Sequence, residues 1–306
     1  MDWKRIAQAF GGLLLGVSIC SAQHADTPGN DPAPSSDLAA RSHVYRLDFE
    51  SFYETDTGPC DIPSAFSELI RGTMNVSFGG HDASFQVHRV RDVNWLLTVG
   101  EEETRVSGHG TLWFGGGLGP LPLARLTLTL RWGDERDVVF DSGFVPVEPG
   151  LTPAIDLTVR EVDAEPCWTR IVRVAASIVP RSQMIPYRLR DSAVWEQISP
   201  TGYTIWRPLD GHFRLVELPL ETNTQPPVHE AAVVSVLWTA PASALADWPL
   251  RVQGAGLYRL GTFGVPTVVE QRLEADLTLI EGRWVSVRRL RFDSGLQPFN
   301  SVSWLP

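Results

Sequence analysis

Residues 126–132 read Leu126-Thr127-Leu128-Thr129-Leu130-Arg131-Trp132, with an apolar side chain at every second position. The same alternation occurs in Ile155-Asp156-Leu157-Thr158-Val159 and in Trp284-Val285-Ser286-Val287-Arg288. A period of two sends successive side chains to opposite faces of a β-strand, so each stretch predicts a strand with one buried face. Helical periodicity is scarce and is confined to residues 65–71 and 242–248, each long enough for two turns at most. The pattern therefore predicts an all-β, antiparallel fold.

Strong turn signals separate some of these stretches. Ile280-Glu281-Gly282-Arg283 lies between two alternating runs. Glycine adopts the positive φ that two-residue hairpin loops require, so this sequence predicts a tight hairpin turn at Gly282.

The chain also repeats itself. Arg105-Val106-Ser107-Gly108-His109-Gly110 matches Arg251-Val252-Gln253-Gly254-Ala255-Gly256. Each copy is followed by Leu-Thr-Leu, at 126–128 and 277–279, and then by Phe-Asp-Ser-Gly, at 140–143 and 292–295. Motifs in the same order at similar spacing favour a duplicated β unit. We therefore predict two tandem antiparallel β-sandwich or barrel-like domains, at residues 43–180 and 201–306, joined by a linker at 181–200.

The N-terminus has the features of a secretory signal peptide. Lys4 and Arg5 precede an apolar run at residues 9–19, and Cys20-Ser21-Ala22 provides a small residue before a cleavage point. We predict a signal peptide at 1–22 and a flexible Pro-, Ser- and Asp-rich tether at 23–42. A retained anchor and lipidation of Cys20 are the alternatives. No later run approaches 18 apolar residues, so we expect an exported, periplasmic or extracellular protein that is not an integral membrane protein after cleavage.

Two cysteines remain after cleavage, Cys60 and Cys167. Exported proteins mature in oxidising compartments, so the pair predicts one disulfide. Neither cysteine has a histidine or a second cysteine at ligand spacing, and we predict no metal and no cofactor.

The overall charge excludes one class of partner. The chain has 26 Lys+Arg against 36 Asp+Glu, a formal net charge of −10, and no basic cluster. Binding to phosphate backbones needs a basic surface, so we do not expect nucleic acid as a partner.

The repeated Phe-Asp-Ser-Gly resembles the hydrophobic-Asp-Ser/Thr-Gly signature of aspartic proteases. In that family each of two lobes supplies one aspartate, which here implies Asp141 and Asp293 as the catalytic pair. The sequence departs from the family pattern at Phe144 and Leu296, because the family has Ser or Thr directly after the glycine. The alternative is structural: the phenylalanine packs inward and Asp-Ser-Gly ends the strand in a turn.

Tryptophan is abundant, with 11 residues in the chain. Five of them lie in strand patterns and are predicted to fill the cores: Trp95, Trp113, Trp132, Trp238 and Trp284. Others lie near loops or strand ends, where an indole face can stack on a sugar ring beside an arginine. These candidate binding residues are Trp168, Trp195, Trp206 with Arg207, and Trp248 with Arg251.

Together these features predict an exported, non-enzymatic binding protein of the cell envelope, with an envelope polysaccharide or an envelope protein as its partner. A hydrolase of the aspartic-protease type and a structural module of an envelope assembly are the alternatives.

Overall fold

The computed structural model describes residues 42–56, 66–99, 102–116, 121–133, 135–148, 154–164, 167–189, 194–198, 204–219, 228–243, 248–263, 268–293 and 297–298. Its described residues form β-strands and connecting loops, with one short 3-10 turn at Arg181–Gln183 and no α-helix among them. The all-β prediction is therefore confirmed. A helix at 65–71 is wrong, because a strand begins at Phe66 and continues through this stretch. The chain divides into two compact units between Gln183 and Met184.

In the part of the chain that the structure describes, the first unit consists of ten strands in one sheet. They are β1 (Ser42–Leu47), β2 (Phe52–Asp56), β3 (Phe66–Asp82), β4 (Phe85–Val99), β5 (Glu102–Gly115), β6 (Leu123–Trp132), β7 (Val138–Asp141), β8 (Val145–Pro146), β9 (Ile155–Glu161) and β10 (Thr169–Ile178).

This sheet closes on itself. Strands β3 to β7 form an antiparallel meander, β7 pairs with β9, and β9 pairs with β10. Strand β10 then pairs with both β1 and β2. These two short strands also pair with successive parts of β3, so they join β10 to β3 and complete the ring. Where β1 and β2 are interrupted, the buried Ser51 hydroxyl donates to the Ala175 carbonyl oxygen at 2.7 Å and accepts from the Ala175 N–H at 3.0 Å. The side chain thereby replaces ladder bonds that the interruption removes.

The inner face of the ring is the core of the first unit. Alternation decides its membership: Ala124, Leu126, Leu128, Leu130 and Trp132 of β6 are all buried, while the residues between them are more exposed. The same rule applies to Ile155, Leu157 and Val159 of β9. These residues belong to one hydrophobic cluster with members from β1, β3, β4, β5, β7 and β10.

Among its described residues, the second unit is an antiparallel sheet whose two edge strands do not pair with each other, together with a separate hairpin. Its strands are β11 (Met184–Arg188), β12 (Val194–Ile198), β13 (Thr204–Pro208), β14 (Asp210–Glu217), β15 (Val228–Ala240), β16 (Leu250–Phe263), β17 (Val268–Glu281), β18 (Trp284–Asp293) and β19 (Gln297–Pro298). The sheet order is β11-β14-β15-β16-β17-β18, with β19 following β18 along β17, and β12 pairs with β13. A second hydrophobic cluster, with members such as Val236, Trp238, Val252 and Leu277, forms the core of this unit.

The stretch predicted as a linker, 181–200, contains two strands, β11 and β12. Its prolines suggested a linker because proline has no N–H to donate to a ladder. Pro186 nevertheless lies within β11, opposite Arg214 of β14. Strand β11 is an edge strand among the described residues, and proline is tolerated at an edge because the missing N–H can face outward.

The repeated glycine motif occupies the same place in each unit. It lies on β5 and on β16, and the preceding strand carries a β-bulge opposite it. The residues that flank the bulge pair with the two glycines in the same order: Val90 with Gly110 and Val93 with Gly108, Val233 with Gly256 and Val236 with Gly254. The residue just before the second flanking valine has positive φ in each unit, Asp92 at 50° and Ser235 at 54°.

A second match lies farther along the same ladders. Trp95 pairs with Gly72 and Trp238 pairs with Gly211. These two glycines have φ of 147° and 153°, and an added Cβ would lie 2.6 Å from the tryptophan Cα in each case. Tyr-Arg-Leu precedes this region in each unit, at 45–47 and 187–189, a repeat that the glycine motif did not reveal.

β7 and β18 each end at the aspartate of a Phe-Asp-Ser-Gly motif, and a short strand, β8 or β19, then pairs farther along the same partner strand. Asp141 pairs with Thr127 and Val145 pairs with Ala124. The chain therefore advances four residues from β7 to β8 while β6 advances three, and the extra residue forms a bulge. Asp293 pairs with Arg272 and Gln297 with Val269, which gives the same count. The two motifs differ in position relative to the glycines. Asp141 pairs one residue beyond the partner of Gly110, whereas Asp293 pairs three residues beyond the partner of Gly256, so the second motif is displaced by two residues.

Only one cysteine of the predicted disulfide lies in the described part of the chain. Cys167 is exposed directly before β10, and Cys60 lies outside the described residues, so their pairing stays a prediction.

The predicted signal peptide, and the predicted tether as far as residue 41, lie outside the described residues. In the part of the chain that the structure describes, no helix is long and apolar enough to cross a membrane.

Candidate functional site

The turn between β17 and β18 has the predicted form. Glu281 pairs with Trp284, which leaves Gly282 and Arg283 as a two-residue loop. Gly282 has φ of 59°, as the first position of a type II′ turn requires. A Cβ added to Gly282 would lie 2.8 Å from Cγ of Trp248, so the indole of Trp248 rests on the turn backbone.

A buried arginine holds this turn to the hairpin formed by β12 and β13. Arg207 of β13 is fully buried, and its Nη1 donates to the carbonyl oxygen of Trp248 at 3.1 Å. Its Nη2 lies 2.9 Å from Oε1 of Glu281. One guanidinium therefore fixes both the backbone at Trp248 and the residue that begins the turn. The planar, multiply donating head of arginine suits this task better than lysine would.

Two large aromatic side chains stand in water above this support. Trp248 is 58% exposed and Trp284 is 60% exposed. The guanidinium of Arg283 lies over the Trp284 ring, 5.6 Å from its centroid. We call Trp248, Gly282, Arg283 and Trp284 the aromatic corner. It offers flat apolar surfaces with an adjacent cation, which are groups that bind a ligand.

The structure places the predicted binding residues at different points. Arg207 and Trp248 are in direct contact, although Arg207 acts from beneath rather than on the surface. Trp206 is exposed, but successive strand residues face opposite ways, so it lies on the other face of the hairpin from Arg207. Arg251 pairs with Ile280 and lies on the sheet face opposite to that of Glu281 and Trp284.

The other two predicted binding residues give less information. Trp195 lies in β12 opposite Arg207, and its side chain is outside the described part. Trp168 is exposed and belongs to the first unit, directly before β10. The predicted set is therefore spread over both units, and the aromatic corner includes only Trp248 from it.

Sequence reasoning missed Trp284, Arg283 and Glu281. The expected core position is confirmed for Trp95, Trp132 and Trp238, which are buried, and Trp113 is half-buried. It is wrong for Trp284. Alternation shows which residues share a face, but β18 lies at the edge of the described sheet, where neither face of its first half is covered. The signal present in the sequence was the predicted turn, which placed Trp284 at its exit.

Asp141, the described member of the predicted catalytic pair, has a structural partner. Arg125 donates from Nε to its Oδ1 at 3.0 Å and contacts Oδ2 through Nη2, while the Gly143 N–H donates to Oδ1 at 2.9 Å. The hydrogen bond from Arg125 is the main reason why the pKa of Asp141 is lowered. Phe140 is fully buried beside it, and β7 ends at Asp141, as the structural alternative expected. The side chain of Asp293 lies outside the described part, so the pairing of the two aspartates stays a prediction.

Arg125 itself lies between two aromatic rings on the outer face of the first unit. Its guanidinium carbon is 5.5 Å from the Trp113 centroid and 5.4 Å from the Phe144 centroid. The ion pair with Asp141 and these two contacts fix the bulge that the motif forms. Within the described residues, no group of three His, Cys, Asp or Glu side chains is arranged to hold a metal ion.

Comparison with known proteins gives no relative. No protein-family model, curated protein or solved structure matches this chain.

Proposed function

We propose that this chain is an exported, non-enzymatic binding protein of the cell envelope, and that the aromatic corner of its second unit binds an envelope polysaccharide. The observation that carries the proposal is the rigid presentation of Trp248 and Trp284 in water above the buried Arg207. The proposal includes the signal peptide, the periplasmic or extracellular location, and an origin of the two units by duplication, which the matching bulges and glycines support.

The aromatic corner is energetically costly to build. An exposed indole forgoes the hydrophobic free energy that burial of a tryptophan provides, which is of the order of a few kcal/mol. A buried guanidinium loses hydration and must regain it from partners, here the Trp248 carbonyl and the Glu281 carboxylate. Neither feature is needed to form a II′ turn. Binding sites do use both, because a held side chain loses little entropy when the ligand arrives.

The ligand chemistry follows from the groups presented. The faces of sugar rings carry C–H groups that pack on indole, and a guanidinium donates to hydroxyl or carboxylate oxygens. Arg283 lies beside Trp284, so one sugar residue can contact a ring and a cation together. A polymer provides successive rings for the two tryptophans, which a small metabolite does not.

The test is calorimetric titration of the full chain with soluble fragments of cell-wall polysaccharide. We expect Trp248→Ala and Trp284→Ala each to weaken binding by roughly tenfold, because loss of a central aromatic contact costs more than about 1 kcal/mol. Both side chains are mostly exposed, so the fold is retained. Trp168→Ala, an exposed tryptophan of the first unit, is the matched control and should bind as the unchanged chain does.

Arg207→Met separates positioning from contact. Arg207 is buried and does not reach the ligand, so we expect weaker binding with both tryptophans present, and greater amide hydrogen exchange at residues 281–284. Absence of binding to every fragment at high micromolar concentration would contradict the proposal. Loss of binding in Trp168→Ala alone would move the site to the first unit.

The two alternatives have distinct signatures. A hydrolase of the aspartic-protease type requires proteolysis that disappears in both Asp141→Asn and Asp293→Asn. A structural module requires stable self-assembly of the chain without any ligand.

A further inference from the structure

We infer that the first half of β18, residues 284–288, binds an extended acidic segment of a partner protein by adding it to the sheet as a further strand. Such strand addition does not depend on polysaccharide binding at the aromatic corner.

The first half of β18 is exposed on both faces. Val285 and Val287, on one face, are 64% and 66% exposed, and Trp284, Ser286 and Arg288, on the other face, are exposed as well. The strand pairs with β17 on one side, and no described residue pairs with its other side. Exposed apolar residues on an open edge are what a pairing segment covers, and monomeric proteins usually avoid them.

The first unit shows that the strand in this place of the order can pair onward with a further strand. There β7 follows β6 as β18 follows β17, and the last two residues of β7 pair with β9, Phe140 with Glu161 and Asp141 with Arg160. In the repeated motif these two residues correspond to Phe292 and Asp293, in the second half of β18. β9 alternates apolar and polar residues along its length. The comparison predicts that the segment bound by β18 is extended and alternating, and that it covers Val285 and Val287 with apolar side chains.

The charge of the strand identifies the partner's chemistry. The chain as a whole is acidic, with a net charge of −10, yet three of the ten residues of β18 are arginine and Arg283 precedes them. Arg289 is paired within the sheet, with Asp276 at 3.0 Å. Arg283 and Arg288 are exposed at the two ends of the exposed half. Carboxylates of a bound strand would lie near them.

A second copy of the chain fits this edge less well. Antiparallel pairing of two β18 strands along their full length would place Arg288 of each copy opposite Arg289 of the other, and like charges opposite one another destabilise a strand pair. An acidic segment gains from the same charges. Backbone hydrogen bonds would supply affinity and the alternate side chains specificity, as in other cases of strand addition.

The experiment uses fluorescence anisotropy of a labelled ten-residue peptide that alternates valine and glutamate, titrated with the full chain at low salt. We expect binding that weakens as salt is raised, since salt screens exposed charges. A peptide that alternates valine and lysine should bind at least about tenfold more weakly. The acidic peptide with N-methyl groups on alternate backbone nitrogens should not bind, because it cannot complete the ladder on that edge.

Two variants of the chain locate the site. Val287→Glu and Arg288→Glu change exposed side chains, so the fold is kept, and each should weaken binding of the acidic peptide by at least about tenfold. Arg181→Glu removes an exposed arginine of the first unit and is the control with unchanged binding. Trp248→Ala should also leave peptide binding unchanged, and Val287→Glu should leave polysaccharide binding unchanged, so the two proposals fail separately.

Several results would overturn the inference. Equal binding of the N-methylated peptide would reduce the contact to charge attraction without strand addition. Lack of binding together with slow amide exchange at 284–288 would show that the edge is covered by other residues of the chain or by a second copy. Sedimentation would separate those two cases through the mass of the particle.

Discussion

The two units share a central run of antiparallel strands, β3 to β7 in the first unit and β14 to β18 in the second, here called the ladder. They differ in the strands that pair beyond its last member. In the first unit, β7 is continued by β9 and β10, and the sheet returns to β1 and β2. In the second unit, β18 is the last strand of the described sheet, and its first half is exposed on both faces. The same bulge, paired glycines and buried tryptophan occur in each. The comparison teaches that the ladder specifies its own register, while closure depends on strands added beyond it.

The difference has a consequence for where binding surfaces are found. In the first unit, the apolar residues of β9 lie inside the ring and pack in the core. In the second unit, the apolar residues at the start of β18 remain in water, beside an aromatic corner that a buried arginine holds in place. A closed sheet has no edge, whereas an open sheet presents one. Among the described residues, the exposed edge and the aromatic corner, to which the proposals above assign binding, therefore both belong to the second unit.

The largest expected effect on the free energy of unfolding comes from removing the predicted disulfide, which would restrain the first unit only. The pairing of Asp56 with Thr169 brings the end of β2 and the start of β10 to the same place, which favours a disulfide between Cys60 and Cys167. Closure of a loop of about a hundred residues contributes about 4–5 kcal/mol in the chain-entropy account, less any strain. Cys60→Ser should lower the free energy of unfolding of the first unit by up to this amount and leave the second unchanged. Amide hydrogen exchange followed by residue range measures both.

Mass analysis of a non-reduced digest provides the control, because the predicted disulfide links the peptides that contain Cys60 and Cys167. Two unlinked peptides, or an equal loss of stability in both units, would contradict this prediction.

The next largest loss of stability is expected from replacing the two buried tryptophans that pair with glycines, one in each unit. Trp95→Ala and Trp238→Ala each leave a large cavity, and we expect losses of about 3–5 kcal/mol. Because the two hydrophobic clusters are separate, each loss should be confined to its own unit. Hydrogen exchange at residues 42–183 and 184–298 measures this. Trp168→Ala is the exposed control, with an expected change within about 0.5 kcal/mol. Loss of protection in both units from either substitution would show that the cores are not independent.

The smallest effect tests the two Phe-Asp-Ser-Gly motifs. Arg125 lowers the pKa of Asp141 in the folded state, so the ion pair stabilises the fold above pH about 4 and this stabilisation is lost as the pH falls below the unfolded value. Both side chains are partly exposed, so Asp141→Asn should cost only about 0.5–1 kcal/mol at pH 7 and less at pH about 2. Urea midpoints at the two pH values measure it.

Asp156→Asn, in an exposed ion pair of the same unit, is the control for that measurement and should change stability little at either pH. Asp293→Asn extends the comparison to the second unit. If its motif has the same local role, its pH dependence follows that of Asp141→Asn. A loss that grows toward low pH would contradict the assignment of Asp141 as an ionised partner of Arg125.

Local features of the fold followed from the sequence because they depend on neighbouring residues alone. The period of two in residues 126–132 fixed which side chains of β6 face the core, and Gly282 fixed the hairpin turn, since both are properties of a short stretch of backbone. The repeated glycines marked equivalent strands because close approach of a carbonyl oxygen excludes a Cβ there.

What only the tertiary structure decided was which strand has a neighbour. Trp284 and Trp238 both lie in strand patterns of the sequence, yet one is exposed on an edge strand of the described sheet and the other is buried on a strand paired on both sides. The linker stretch likewise became strands because β11 found β14 to pair with. Burial of a strand's face, and the partner of a buried charge such as Arg207, depend on residues distant in sequence, and no local period contains that information.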